Sequence, residues 1–84
     1  DTARMKIPRD VSGRELAKRL KTFGYEITRQ SGSHFRVTTI RNTPHHITIP
    51  DHDALRLGTL IGILNDVAAH HDLERDELIS LLFE

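Results

Sequence analysis

The chain contains no cysteine, carries no net formal charge, and has one methionine, Met5, among its 84 residues. Without cysteine it can form neither a disulfide framework nor a thiolate metal site. No apolar run reaches the roughly 18 residues that a membrane span requires. Nor is there the charged, apolar and small-residue succession of a secretory leader. A soluble, cytoplasmic protein without a membrane partner is expected. The length predicts one domain over residues 1–84 with a small core. Asp1 to Arg4 precede Met5, are expected to be either upstream or artificially added residues, and are set aside from the fold.

The neutral total hides an uneven distribution. Residues 1–41 hold ten Lys/Arg and four Asp/Glu, whereas residues 42–84 hold two and eight. A basic half of this kind suits a polyanion, although two mutually neutralising solvated faces would give the same count.

Ser12-Gly13-Arg14-Glu15 has the form of a capping box, and a helix from about Gly13 to Phe23 should follow it. Leu16, Leu20 and Phe23 make its apolar stripe, and Arg14, Lys18 and Lys21 fall on the opposite side. Gly24 is the expected left-handed stop. Strands are predicted at Tyr25–Gln30, at His34 or Phe35 to Ile40, and at His46–Ile49. Alternation turns Tyr25, Ile27, Phe35, Val37, Ile47 and Ile49 to one face. Pairing Ile27 with Val37 leaves Ser31-Gly32-Ser33 as a three-residue loop, with Gln30 opposite His34. Thr28, His34, Arg36, Thr38, His46 and Thr48 then face outward. A largely apolar helix is predicted at about Leu60–Ala68. A third, capped by Asp72, should run from about Leu73 to Phe83.

This order, α-β-β-β-α-α, predicts an α+β fold: a three-stranded antiparallel sheet with helices on one face. Less the last helix, it is the order of double-stranded RNA-binding domains.

The candidate site is the hairpin tip Arg29-Gln30-Ser31-Gly32-Ser33-His34-Phe35-Arg36. Histidine can hold or release a proton near neutral pH, and arginine suits bidentate phosphate contact. His34 between Arg29 and Arg36 therefore points to a polyphosphate substrate, most simply RNA. The candidate RNA-binding residues are Arg14, Lys18, Lys21, Arg29, Gln30, Ser31, Gly32, Ser33 and Arg36, and the basic ones are expected to form one positive surface. His46 and His52 are candidates for a general acid. His45-His46 is a poor metal-ligand pair, because adjacent strand residues face opposite ways. No acidic or Cys partner stands at zinc spacing. His70-His71 should close the second helix.

Three segments carry a resemblance to the HicA-type, or YcfA-like, toxin family. The first is Ser12-Gly13-Arg14-Glu15-Leu16 running into Leu20-Lys21-Thr22-Phe23-Gly24-Tyr25. The second is Arg29-Gln30-Ser31-Gly32-Ser33-His34. The third is Ile47-Thr48-Ile49-Pro50-Asp51-His52 followed by Gly58-Thr59-Leu60. The resemblance implies a metal-independent endoribonuclease that cleaves mRNA, needs no cofactor and is silenced by a HicB-type antitoxin. It puts the catalytic histidine at His34. The chain departs from the family at Phe35, where members commonly carry a second polar or basic residue. The competing reading is a non-catalytic RNA-binding module of the double-stranded RNA-binding type. Such modules place lysines at the start of the last major helix, where this chain has Gly58-Thr59-Leu60.

Overall fold

A computed structural model describes residues 7–84 of the chain, so Asp1 to Arg4 lie outside the described residues. The element order is α1 (Gly13–Arg19), a 3-10 turn (Leu20–Phe23), β1 (Glu26–Ser31), β2 (His34–Thr39), β3 (His45–Pro50), α2 (Leu57–His70) and α3 (Arg75–Phe83). The strands form one antiparallel sheet in the order β1-β2-β3. This is the α+β, double-stranded-RNA-binding-domain-like layout expected.

Ser12 starts α1 through its hydroxyl, which accepts the Glu15 N–H at 2.9 Å. Only half of the capping box forms, because the Glu15 carboxylate turns to Arg19 one turn on (2.9 Å). The helix tightens to 3-10 geometry at Leu20, and Gly24 ends it at φ 84°. Leu16 and Leu20 have no exposed surface and pack with Phe35, Val37, Ile49 and Leu64. Each side chain of this size buried in full contributes about 1.5–3 kcal/mol. The apolar circumference of α2 puts Leu60, Ile63, Leu64, Val67 and Ala68 in the same core.

The second helix is longer than expected, starting at Leu57 and ending at His70. Asp72 does not cap α3. It stands at φ 58°, with its N–H on Ala69 O and the Leu73 N–H on Ala68 O. That pair of bonds is the Schellman motif, so Asp72 stops α2 instead. Aspartate suits both roles, since it caps well and also tolerates the left-handed region.

Ile27 pairs with Val37 as expected, but a bulge follows. Arg29 pairs with Arg36, Gln30 with Phe35 and Ser31 with His34, leaving Thr28 as the extra residue. The bulge takes one residue out of the expected loop, which shrinks to Gly32-Ser33. Gly32 stands at φ 58°, and a positive φ at the first loop position marks a II′ turn, which favours glycine there. Ile27 is 46 % exposed although it shares the inward face with the fully buried Val37. β1 and β3 are both edge strands, but the helices pack over β3, and all six residues of β1 are exposed.

Candidate active site

His34 opens β2, and its alternation with the buried Phe35 and Val37 turns it away from the helices. Arg36 is two residues along on the same face. The bulge at Thr28 decides where Arg29 goes. In an unbroken register Arg29 would oppose Phe35 on the inner side; here it lies opposite Arg36 on the outer face. Thr28 fixes the bulge, its hydroxyl 2.9 Å from that of Thr38 and 3.4 Å from the Arg36 carbonyl. Arg29, Ser31, His34 and Arg36 thus line one shallow hollow of about 200 Å³, with Phe35 and Thr48 completing it. Like charges directly opposite each other repel, so the arginine pair is a place that an anion would stabilise.

The imidazole of His34 is exposed, and its Nδ1 lies 3.4 Å from the Ser33 hydroxyl. Among the described residues its Nε2 has no hydrogen-bond partner. The tip is held from behind. The Asp51 N–H donates to Ser33 O at 2.7 Å, and the Asp51 carboxylate meets Arg14 at 3.3 Å. Arg14 also lies over the Phe35 ring, 5.1 Å from its centroid. Gly13 donates its N–H to His52 O, and any Cβ on Gly13 would overlap the Pro50 carbonyl. Pro50 is the residue paired with His34, so α1 seats directly against the strand end that carries the tip.

Of the basic residues named from the sequence, Arg29 and Arg36 line the hollow beside His34. Arg14 and Lys18 line a larger hollow of about 660 Å³ on the helical side, with Glu15, Arg19, Thr22 and Leu82. Lys21 is exposed in the 3-10 turn that follows. Gln30, Gly32 and Ser33 are exposed at the tip. His46 shares the outer face but pairs with Thr38, four positions along from the His34–Pro50 pair. At about 3.3 Å per residue that is roughly 13 Å, too far to serve the same phosphodiester as His34. His52 is exposed, one residue past the Asp51 contact.

The described residues form an α+β domain whose sheet carries a histidine and a cross-strand arginine pair on its outer face. The family model described as HicA toxin of bacterial toxin–antitoxin matches residues 13–68. The chain belongs to the HicA toxin family, and that membership implies a cognate antitoxin. No curated protein and no solved structure is a significant match. The matched span runs from the start of α1 through most of α2 and includes the whole hairpin. Among the described residues no helix is long and apolar enough to cross a membrane.

Proposed function

We propose that the protein is the toxin of a HicAB-type pair and acts as a metal-independent endoribonuclease on mRNA, with His34 as general base. The observation that carries this reading is the convergence of His34 with the facing pair Arg29 and Arg36 in one solvent-open hollow. RNA supplies its own nucleophile. With the Nδ1 proton of His34 directed at the Ser33 hydroxyl, Nε2 keeps its lone pair and can take the 2′-hydroxyl proton. The 2′-oxygen then attacks the adjacent phosphorus, and the bond from phosphorus to the 5′-oxygen breaks. The phosphorane that forms in between carries added negative charge, which Arg29 and Arg36 are positioned to offset. The leaving 5′-oxygen takes a proton from water or a second acid, and the products are a cyclic phosphate and a 5′-hydroxyl.

A single base supplies roughly 10²–10⁴-fold acceleration, so modest rates are expected. A flat sheet face with no lysine cluster at the start of α2 suits single-stranded mRNA better than duplex. The HicB-type antitoxin would silence the enzyme by covering the hollow around His34. Incubating the purified chain with a long mRNA in EDTA tests the reading. Fragmentation of the mRNA is the expected result. Intact RNA that is nonetheless bound would make the chain a binding module instead.

A further inference from the structure

At the opposite end of the sheet from His34, three histidines, a tyrosine and an aspartate meet in one cluster that the proposed chemistry does not use. Tyr25 enters from the start of β1 and has no exposed surface. Its hydroxyl lies 2.7 Å from His45 Nδ1 and 3.2 Å from His71 Nε2. His45 Nε2 lies 3.2 Å from Asp66 Oδ1. His70 stacks face to face on His45, with centroids 4.2 Å apart and an interplanar angle of 10°. Its Nε2 lies 2.8 Å from Arg41 O and 3.2 Å from Thr43 O.

These contacts fix the protons. A carboxylate only accepts, so His45 donates from Nε2 to Asp66 and its Nδ1 must accept. Tyr25 therefore donates to His45 Nδ1, and its oxygen accepts from His71 Nε2–H. His70 donates from Nε2 to the two carbonyls. Every polar atom named is satisfied with all three imidazoles neutral, in one direction of donation: His71 to Tyr25 to His45 to Asp66.

A proton added at His45 Nδ1 reverses one link. The Tyr25 O–H then loses its acceptor in a place with no exposed surface, and a buried hydroxyl left unpaired is destabilising. The charge would also face the stacked ring of His70. The other charged groups here are Asp66 on α2 and Arg41 in the β2–β3 turn, whose guanidinium donates to Thr22 O at 2.9 Å. The carboxylate meets His45 alone among the three rings, and Arg41 adds a permanent cation beside His71.

The cluster has a load to hold. The β2–β3 turn places Asn42 at φ 57° and Thr43 at φ 90°. A positive φ is a genuine outlier for β-branched Thr43. His70 bonds the carbonyls on both sides of Asn42, clamping this turn onto the end of α2. We propose that Tyr25, His45, Asp66, His70 and His71 form an acid-labile latch that fastens the β2–β3 turn and the start of β3 to the end of α2 through these hydrogen bonds, and that acid loosens that end. His70 and His71, two of these five residues, lie beyond the span that matches the family.

The direction of the pH dependence follows from His71 and Tyr25. Burial, then the neighbouring His70, His45 and Arg41, hold His71 below the ordinary histidine value of 6.5. The folded state then binds fewer protons than the unfolded state, so this stability is present above about pH 6.5 and is lost as pH falls. Burial and the Asp66 carboxylate push Tyr25 up to about 12. Its contribution is present below pH 10 and is lost only as pH rises from there towards 12, so near neutrality the latch responds to acid alone.

Melting the full chain between pH 7.5 and 5.5 tests this, with His71→Gln and His45→Gln beside His46→Gln, which alters an exposed ring outside the cluster. The expected result is a fall in Tm of at least ~4 °C on acidification for wild type and His46→Gln. His71→Gln and His45→Gln should start lower and fall by less than half as much. A wild-type Tm that does not move, or the same fall in all four proteins, overturns the latch. Should the cluster variants not fold, nitrogen-15 shifts of the wild-type histidines at pH 7.5 decide. Neutral His45 and His71 rings with the proton on Nε2 support the latch, and a proton on His45 Nδ1 overturns it.

Discussion

His34→Ala should lower mRNA cleavage by about two to four orders of magnitude while leaving the fold and most of the RNA affinity in place. The separation of these effects comes from the geometry. The imidazole is exposed at the tip of a hairpin, and its hydrogen-bond partner among the described residues is the Ser33 hydroxyl. Replacing an exposed ring costs within about 0.5 kcal/mol of stability. The turn itself is held by Gly32 in its left-handed conformation and by the Asp51 N–H on Ser33 O, neither of which needs the ring. Arg29 and Arg36 keep their places, so RNA should still bind. Cleavage of a long mRNA, equilibrium binding and thermal melting, measured on the same two proteins, separate the three quantities. A variant that cleaves at the wild-type rate is not missing its catalyst, and one that melts far lower has lost a structural residue.

Replacing Arg29 and Arg36 together with alanine should weaken RNA binding by about tenfold or more and flatten its salt dependence. Each phosphate contact on a single strand contributes roughly 0.7 to the slope of log affinity against log salt, so two lost contacts should reduce it by about 1.4. The variant should also cleave slowly at saturating RNA, because in the proposed reaction the same arginines offset the charge of the phosphorane. Lys18 and Lys21 provide the comparison. They lie on α1 and the turn after it, on the helical side of the sheet, away from the hollow that holds His34. Their replacement should lower affinity with little change in the rate at saturation. Titrations at several salt concentrations, with single-turnover cleavage at saturating RNA, test both. If the Lys18/Lys21 variant loses the saturated rate and the arginine variant does not, the RNA path has been drawn on the wrong face.

Much of this arrangement is legible in the sequence because it depends on short-range patterns. Ser12 marks the start of α1 and Gly24 its end. The alternation through Phe35 and Val37 fixes which way His34 and Arg36 point. Ile27–Val37 pairing follows from matching faces. The bulge does not follow, because Thr28 is an ordinary strand residue and no glycine announces it. It is settled by the two-residue turn and by the meeting of Thr28 with Thr38, and it carries Arg29 to the outer face. The exposure of Ile27 has the same kind of cause: alternation reports the face, whereas coverage depends on which strands the helices lie over. Asp72 has two compatible local roles, and only the packing of α3 on α2 selects between them. The histidine cluster is the least legible part. Tyr25, His45 and His71 are far apart in the chain, and His70-His71 read alone signals no more than the end of a helix.

The account rests on the 2′-hydroxyl as nucleophile and His34 as the group that takes its proton. A single 2′-deoxy substitution at a mapped cleavage site in an otherwise unaltered RNA tests this most directly. The account predicts that the unmodified RNA is cut in EDTA to leave a cyclic phosphate and a 5′-hydroxyl, and that the deoxy RNA binds equally well and is not cut at that position. Cleavage of the deoxy RNA at that position, or products bearing a 5′-phosphate, would contradict it.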